Sequence, residues 1–197
     1  MSMLENPSPD LLIISAALLG FVLLLIVLWR RRRKNRSPEV QLQAVVDELL
    51  SHFLIPDGDG GEIHVELAAL TSEGVLVIDI KQVAGHVFGS DAMQDWTVIG
   101  ERRRFTFGNP QPALYDRIAA VKRLLPEVPV SGYVVFTDAA DFSKGLPSRT
   151  QRLDSLIEIL DAQRREAGST DNAFRSGWEQ LRHEAVAAQV GQLMKDR

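Results

Sequence analysis

Three residues have the types and spacing to do chemistry: Glu66, Asp79 and Lys81. Glu66 lies between Val65 and Leu67, and Asp79 and Lys81 close the run Val77-Ile78-Asp79-Ile80-Lys81. In a strand, residues two apart share a face, so Asp79 and Lys81 point the same way. A turn centred on Ser72 and Glu73 would fold the two segments into a hairpin, with Glu66 opposite Asp79 or next to it. Two carboxylates and the backbone carbonyl of Ile80 would offer hard oxygen donors to Mg²⁺. Such an ion acidifies a bound water and neutralises phosphate charge. Lys81 would orient that water or stabilise the transition state. This is the chemistry of metal-dependent phosphodiester cleavage. For these three residues alone, an ion pair across a solvent-facing hairpin is the simpler account. His64 lies two residues before Glu66, so period two puts it on the same side as an accessory to the site, or as an ordinary surface histidine.

The elements that must position these residues follow from periodicity and punctuation. Ser37 as N-cap and Pro38 in the first turn open a helix. Leu42, Val45, Val46, Leu49 and Leu50 recur at helical spacing, which predicts that this helix runs over 38–53. The run Pro56-Asp57-Gly58-Asp59-Gly60-Gly61 is a turn; Gly61 at the third ligand position rules out a calcium loop. Strands are predicted over 63–70 and 74–81, paired as a hairpin through Thr71-Ser72-Glu73-Gly74. A short strand follows over 85–88, then one or two strands over 96–107 with Gly100 as the turn. A helix is predicted over 110–125, with Ala113, Ile118, Val121 and Leu125 inward and Asn109-Pro110 as its cap. A buried strand is predicted over 128–136. Helices are predicted over 155–165 and 171–194, the last with Phe174, Trp178, Leu181 and Val186 on one side. That stripe could pack on the sheet or on a second copy of the chain. Helix, strands, helix, strand, helices is the order of a mixed α/β (α+β) sheet. Arg102-Arg103-Arg104 would either touch a phosphate backbone or form a solvated hairpin tip.

The 197 residues leave room for one domain and something more. With no cysteine, a disulfide framework, a thiolate zinc site, an iron–sulfur cluster and a cysteine nucleophile are excluded. Residues 11–29 carry no charge and are long enough, as a helix, to cross a bilayer. Glu5 and Asp10 precede this run, and Arg30 to Lys34 follow it. The expectation is therefore a single-pass cell-membrane protein: residues 1–10 outside, 11–29 in the bilayer, a basic linker over 30–37 and the rest in the cytoplasm. The basic run would also attract anionic lipid. After Arg36 the chain holds 16 basic and 24 acidic residues, which argues against a domain that coats nucleic acid by charge alone.

Over about residues 38–140 the chain resembles the NERD (nuclease-related domain) family of the PD-(D/E)xK nuclease-like fold. The resemblance rests on order and spacing: Leu54-Ile55-Pro56-Asp57-Gly58, Val65-Glu66-Leu67, Gly74 to Lys81, Gly85-His86-Val87-Phe88-Gly89, Trp96, and Phe107-Gly108-Asn109-Pro110. It implies a restriction-endonuclease-like core, followed here by a C-terminal helical extension over 141–197. It also implies Mg²⁺-dependent cleavage of nucleic acid, with Glu66, Asp79 and the Ile80 carbonyl on the metal and Lys81 at the phosphate. The family's aspartate and glutamate are Glu66 and Asp79 here, its histidine is Leu67, and Gln43 stands at the place of its helical glutamate. The glutamine expected after Asn-Pro falls at Ala113, with Gln111 nearby. These departures raise the alternative of a catalytically degenerate, membrane-tethered binding or scaffold module, with a protein partner or as a homodimer.

Overall fold

The computed structural model describes residues 20–21, 36–137, 139–168 and 173–195, with side chains only to residue 186 in the last helix. The chain divides into two compact units, Met1–Gln41 and Leu42–Arg197. In the first, Ser37 acts as the expected cap: its Oγ accepts the Val40 N–H at 3.4 Å. The expected membrane span, 11–29, lies outside the described residues apart from 20 and 21, which are helical. No helix among the described residues is long and apolar enough to cross a membrane.

Helix α1 spans only Pro38–Gln43, and strand β1 follows at Glu48–Pro56. The long helix expected over 38–53 is thereby corrected. Leu49 and Leu50 lie in a strand that pairs antiparallel with β2 (Glu62–Thr71). β2 turns through Ser72 and Glu73 into β3 (Gly74–Lys81), with Thr71 paired to Gly74. Gly74 has φ +128°, and a Cβ there would lie 2.2 Å from the Pro129 carbonyl oxygen. That oxygen accepts the Val75 N–H at 2.9 Å, so the missing side chain lets the two segments close.

Strands β4 (Gly85–Phe88), β5 (Asp95–Ile99) and β6 (Arg104–Gly108) form an antiparallel meander, joined by β8 (Ala140–Asp141) at its β4 edge. Helix α2 (Gln111–Leu124) then returns the chain to the first sheet, where β7 (Val130–Phe136) lies parallel to β3. β9 (Thr150–Arg152) adds a further parallel strand, giving the order β1-β2-β3-β7-β9. Helices α3 (Leu153–Ala167) and α4 (Arg175–Lys195) complete the chain.

The larger sheet is covered on both faces. On one, Val75, Val77, Val134 and Phe136 pack with Leu114 and Val121 of α2, Trp178 and Leu181 of α4, and Trp96 of the smaller sheet. On the other, Leu76, Ile78 and Val135 pack with Leu42, Val45, Val46 and with Leu153, Leu156 and Leu160 of α3. Each large apolar side chain fully buried in this way stabilises by about 1.5–3 kcal/mol. The residues beyond 140 thus share one core with those before them. Two expected inward positions differ. Ala113 is exposed, Val186 is exposed, and Ala185 takes the buried place on α4. α2 packs closely at Gly132, where a Cβ would lie 2.8 Å from Ile118 Cδ1. The glycine lets the helix sit low on the sheet, and this seats Arg117, the neighbour of Ile118, against β3.

Candidate active site

β3 is apolar on both faces until its end. Val75 and Val77 enter one cluster, Leu76 and Ile78 the other. Asp79 follows on the face of Val75 and Val77, under α2, and is only 2% exposed. A carboxylate placed there needs a counter-charge, and Arg117 supplies it: Nη1 donates to Asp79 Oδ2 at 2.8 Å. The same guanidinium donates from Nε to the His64 carbonyl at 2.7 Å. Asp79 Oδ1 is buried and has no hydrogen-bond partner. Burial pushes the Asp79 carboxyl above its ordinary range, against the opposing pull of Arg117, Lys81 and His64.

Glu66 enters from β2 in a different way. Main-chain pairing of β2 with β3 ends at Leu67 and Ile78, so the next positions in register are Glu66 and Asp79. There the Glu66 carboxylate takes over from the ladder: Oε2 accepts the Ile80 N–H at 3.0 Å. The cause lies in β2 itself. Ile63 and Val65 pack on the α2 face, and so do Ala68 and Leu70, while Leu67 and Ala69 pack on the opposite face. The alternation therefore slips by one residue at Glu66. β1 slips at the same level: Leu50, Phe53 and Ile55 share the α2 face, and His52 between them has φ +50°. His52 and Glu66 are the one position skipped in an otherwise continuous register.

The slip changes the expectation for His64. Period two would hold it on the side of Glu66, but the alternation breaks between them. His64 is exposed, its ring stacks on His52 at 5.7 Å, and it reaches the site through its backbone carbonyl. Lys81 is half-buried on the Asp79 side of β3, opposite Phe136 of β7. Ile80 is drawn in by its N–H. Gln43 is exposed, beside Leu42, on the face of the sheet away from Asp79. Sequence reasoning missed Arg117, although a signal was present. Leu114, Arg117, Ile118 and Val121 lie at i, i+3, i+4 and i+7, so Arg117 holds a core position of an amphipathic helix.

Among the described residues no three histidine, aspartate or glutamate side chains cluster as a metal site. A hard cation would instead rest on two carboxylates and backbone oxygen. The donor set fits one, because Asp79 Oδ1 is a buried carboxyl oxygen that lacks a partner.

Beyond the site, Asn109 Oδ1 accepts the Gln111 N–H at 2.9 Å, although the helix begins one residue later than the expected Asn cap would place it. Buried Gln111 donates to Asp91 Oδ1 at 2.8 Å and to the Ser148 carbonyl at 2.6 Å. Asp91 in turn accepts the Ser148 N–H at 2.8 Å and its hydroxyl at 2.6 Å. These bonds, those from Ser148 first, hold the Asp91 carboxyl below its usual range. The knot ties two loops to the start of α2.

The model of the nuclease-related domain family matches residues 37–137, just over half of the chain. The chain belongs to the NERD family. No curated protein and no solved structure matches it. In the NERD chain the matched stretch holds β1 to β7 and α2, and with them Glu66, Asp79, Lys81 and Arg117. Its mixed α/β sheets are consistent with a nuclease-like core.

Proposed function

We propose that this NERD protein is a membrane-anchored, Mg²⁺-dependent nuclease acting on nucleic-acid phosphodiesters. The observation that carries the reading is the unpartnered, buried Asp79 Oδ1 next in register to Glu66. Asp79 Oδ1, Glu66 and the Ile80 carbonyl would hold the ion, which when bound supplies an acidified water and charge neutralisation at phosphate. Lys81 would face the phosphate and stabilise charge developing on it. Arg117 holds Asp79 in one rotamer, so one oxygen is committed and the other free. The anchor is residues 11–29, with Arg30 to Lys34 against anionic lipid on the cytoplasmic side.

The Arg117–Asp79 pair favours a second reading. A guanidinium already neutralises the buried carboxylate, as a module that kept the fold without turnover would require. The two are separated by titrating Mg²⁺ and Mn²⁺ into the full chain in detergent micelles by calorimetry, beside Asp79→Asn. Cleavage of labelled DNA and RNA is then measured. Binding that disappears in the variant, with cleavage, supports the nuclease. Absence of binding at millimolar metal leaves the binding module.

A further inference from the structure

The β5–β6 hairpin carries Arg102, Arg103 and Arg104 at its tip, and all three are exposed. The tip is built rather than loose: Ile99 pairs with Arg104, and the Gly100 N–H bonds the Arg103 carbonyl at 3.0 Å. The Arg103 guanidinium stands 5.3 Å from the Phe105 ring centre, a cation–π contact. Among the described residues none of the three forms an ion pair, whereas Arg117, Arg152, Arg165, Arg175 and Arg182 each meet a carboxylate. In a domain with 24 acidic residues to 16 basic, three adjacent exposed arginines beside the single carboxylate of Glu101 are a local excess of positive charge that solubility does not need.

The tip also lies at the site end of β3. A Cβ on Gly85 would meet the Ile99 carbonyl oxygen at 2.4 Å, and one on Gly100 would meet the Ala84 carbonyl oxygen at 3.2 Å. Ala84 is three residues after Lys81, at most about 10 Å of extended chain. We infer that Arg102, Arg103 and Arg104 grip the phosphate backbone of a nucleic acid whose scissile phosphate lies at Lys81. This rests on the nuclease reading of the site. Guanidinium is the group suited to the task, because its planar donors match phosphate oxygens in pairs. Backbone contacts of this kind position a substrate without reading its sequence.

The test uses the full chain in neutral phosphatidylcholine nanodiscs, with a short fluorescein-labelled DNA duplex as probe, its affinity read by anisotropy across a salt series. Each phosphate contact contributes about 0.9 to the slope of log affinity against log salt. The triple R102A/R103A/R104A variant is expected to lose about 2 to 3 of that slope. The R102K/R103K/R104K variant is expected to keep most of it, and both should melt with the unaltered chain. An unchanged slope in the alanine variant, or no duplex binding by the unaltered chain, overturns the proposal. So does loss of binding to phosphatidylserine vesicles with duplex affinity unchanged, which would assign the tip to a lipid surface. Cleavage by the unaltered chain is assayed separately. Its absence removes the nuclease reading and leaves the slope comparison to decide the tip.

Discussion

Arg117 meets Asp79 at 2.8 Å through one carboxylate oxygen and leaves the other buried without a partner. The pair is lopsided: the Asp79 side chain is 3% exposed and that of Arg117 is 22%. Removing the cation strands the anion. Arg117→Met should therefore destabilise the domain by about 3 kcal/mol, the lower end for a broken buried pair. Arg117→Met with Asp79→Leu should recover most of that loss, since no charge is then left buried. Urea unfolding followed by tryptophan fluorescence checks both, because Trp96 and Trp178 lie in the core. A cost below about 1 kcal/mol for the single change would mean that the pair behaves as a surface one.

The raised pKa of Asp79 sets the direction of a pH effect. The folded state holds its proton to higher pH than the unfolded chain, which releases it near pH 3.9. The contribution is complete below that value and is lost as pH rises through the folded value. Asp79→Asn cannot titrate, so its stability should lack this decline. Melting curves of the two proteins, compared as a difference across pH, isolate the effect. A difference that does not change with pH would contradict it.

Glu66→Gln separates the structural role of Glu66 from a metal role. The amide oxygen can still accept the Ile80 N–H, so the strand end and the melting temperature should be nearly preserved. A divalent ion would lose a charged ligand. Its affinity should fall at least about tenfold, the smallest loss typical even for outer partners of a metal. Calorimetry with Mn²⁺ reads the change directly, and equal affinity in the two proteins would remove Glu66 from the ligand set.

Trp178 anchors α4. Its ring is buried, and its indole N–H donates to Glu48 Oε2 at 2.8 Å. Arg175 reaches the same carboxylate at 2.7 Å. The Trp178 bond leads the effects that hold the Glu48 carboxyl below its usual range, against a partial burial that raises it. Trp178→Ala should cost about 3–5 kcal/mol. If α4 were a dispensable extension, the same change would leave the urea midpoint where it was.

Much of this was legible in the sequence where one physical signal dominated. The 74–81 strand is a continuous apolar run, and its bounds are those of β3. Its turn is fixed by Thr71 and Gly74. The 38–53 helix failed because Val45, Val46, Leu49 and Leu50 fit a 3.6-residue period while the slip at His52 erased the alternation that marks a strand. The same slip misplaced His64. Strands of two and three residues, β8 and β9, exist only through distant partners, so no local pattern announces them. Within the candidate site, Glu66, Asp79 and Lys81 stand out as charges in apolar strands. Arg117 does not stand out in the same way, because an arginine on a helix is ordinarily solvent-facing.

The matched slips in β1 and β2 are one extra residue in each strand, set opposite each other. Deleting His52 alone would leave Leu50, Phe53 and Ile55 in plain alternation on the α2 face, with Glu66 an extra residue bulged against them, and deleting Glu66 alone would leave His52 bulged in the same way. Either loss alone should be borne as a one-sided bulge, and the two together would restore a regular ladder. Such a repaired hairpin could still fold, but it would no longer carry a carboxylate at the end of its pairing with β3. Shortening this hairpin is therefore an escape route open to the architecture and closed to the site.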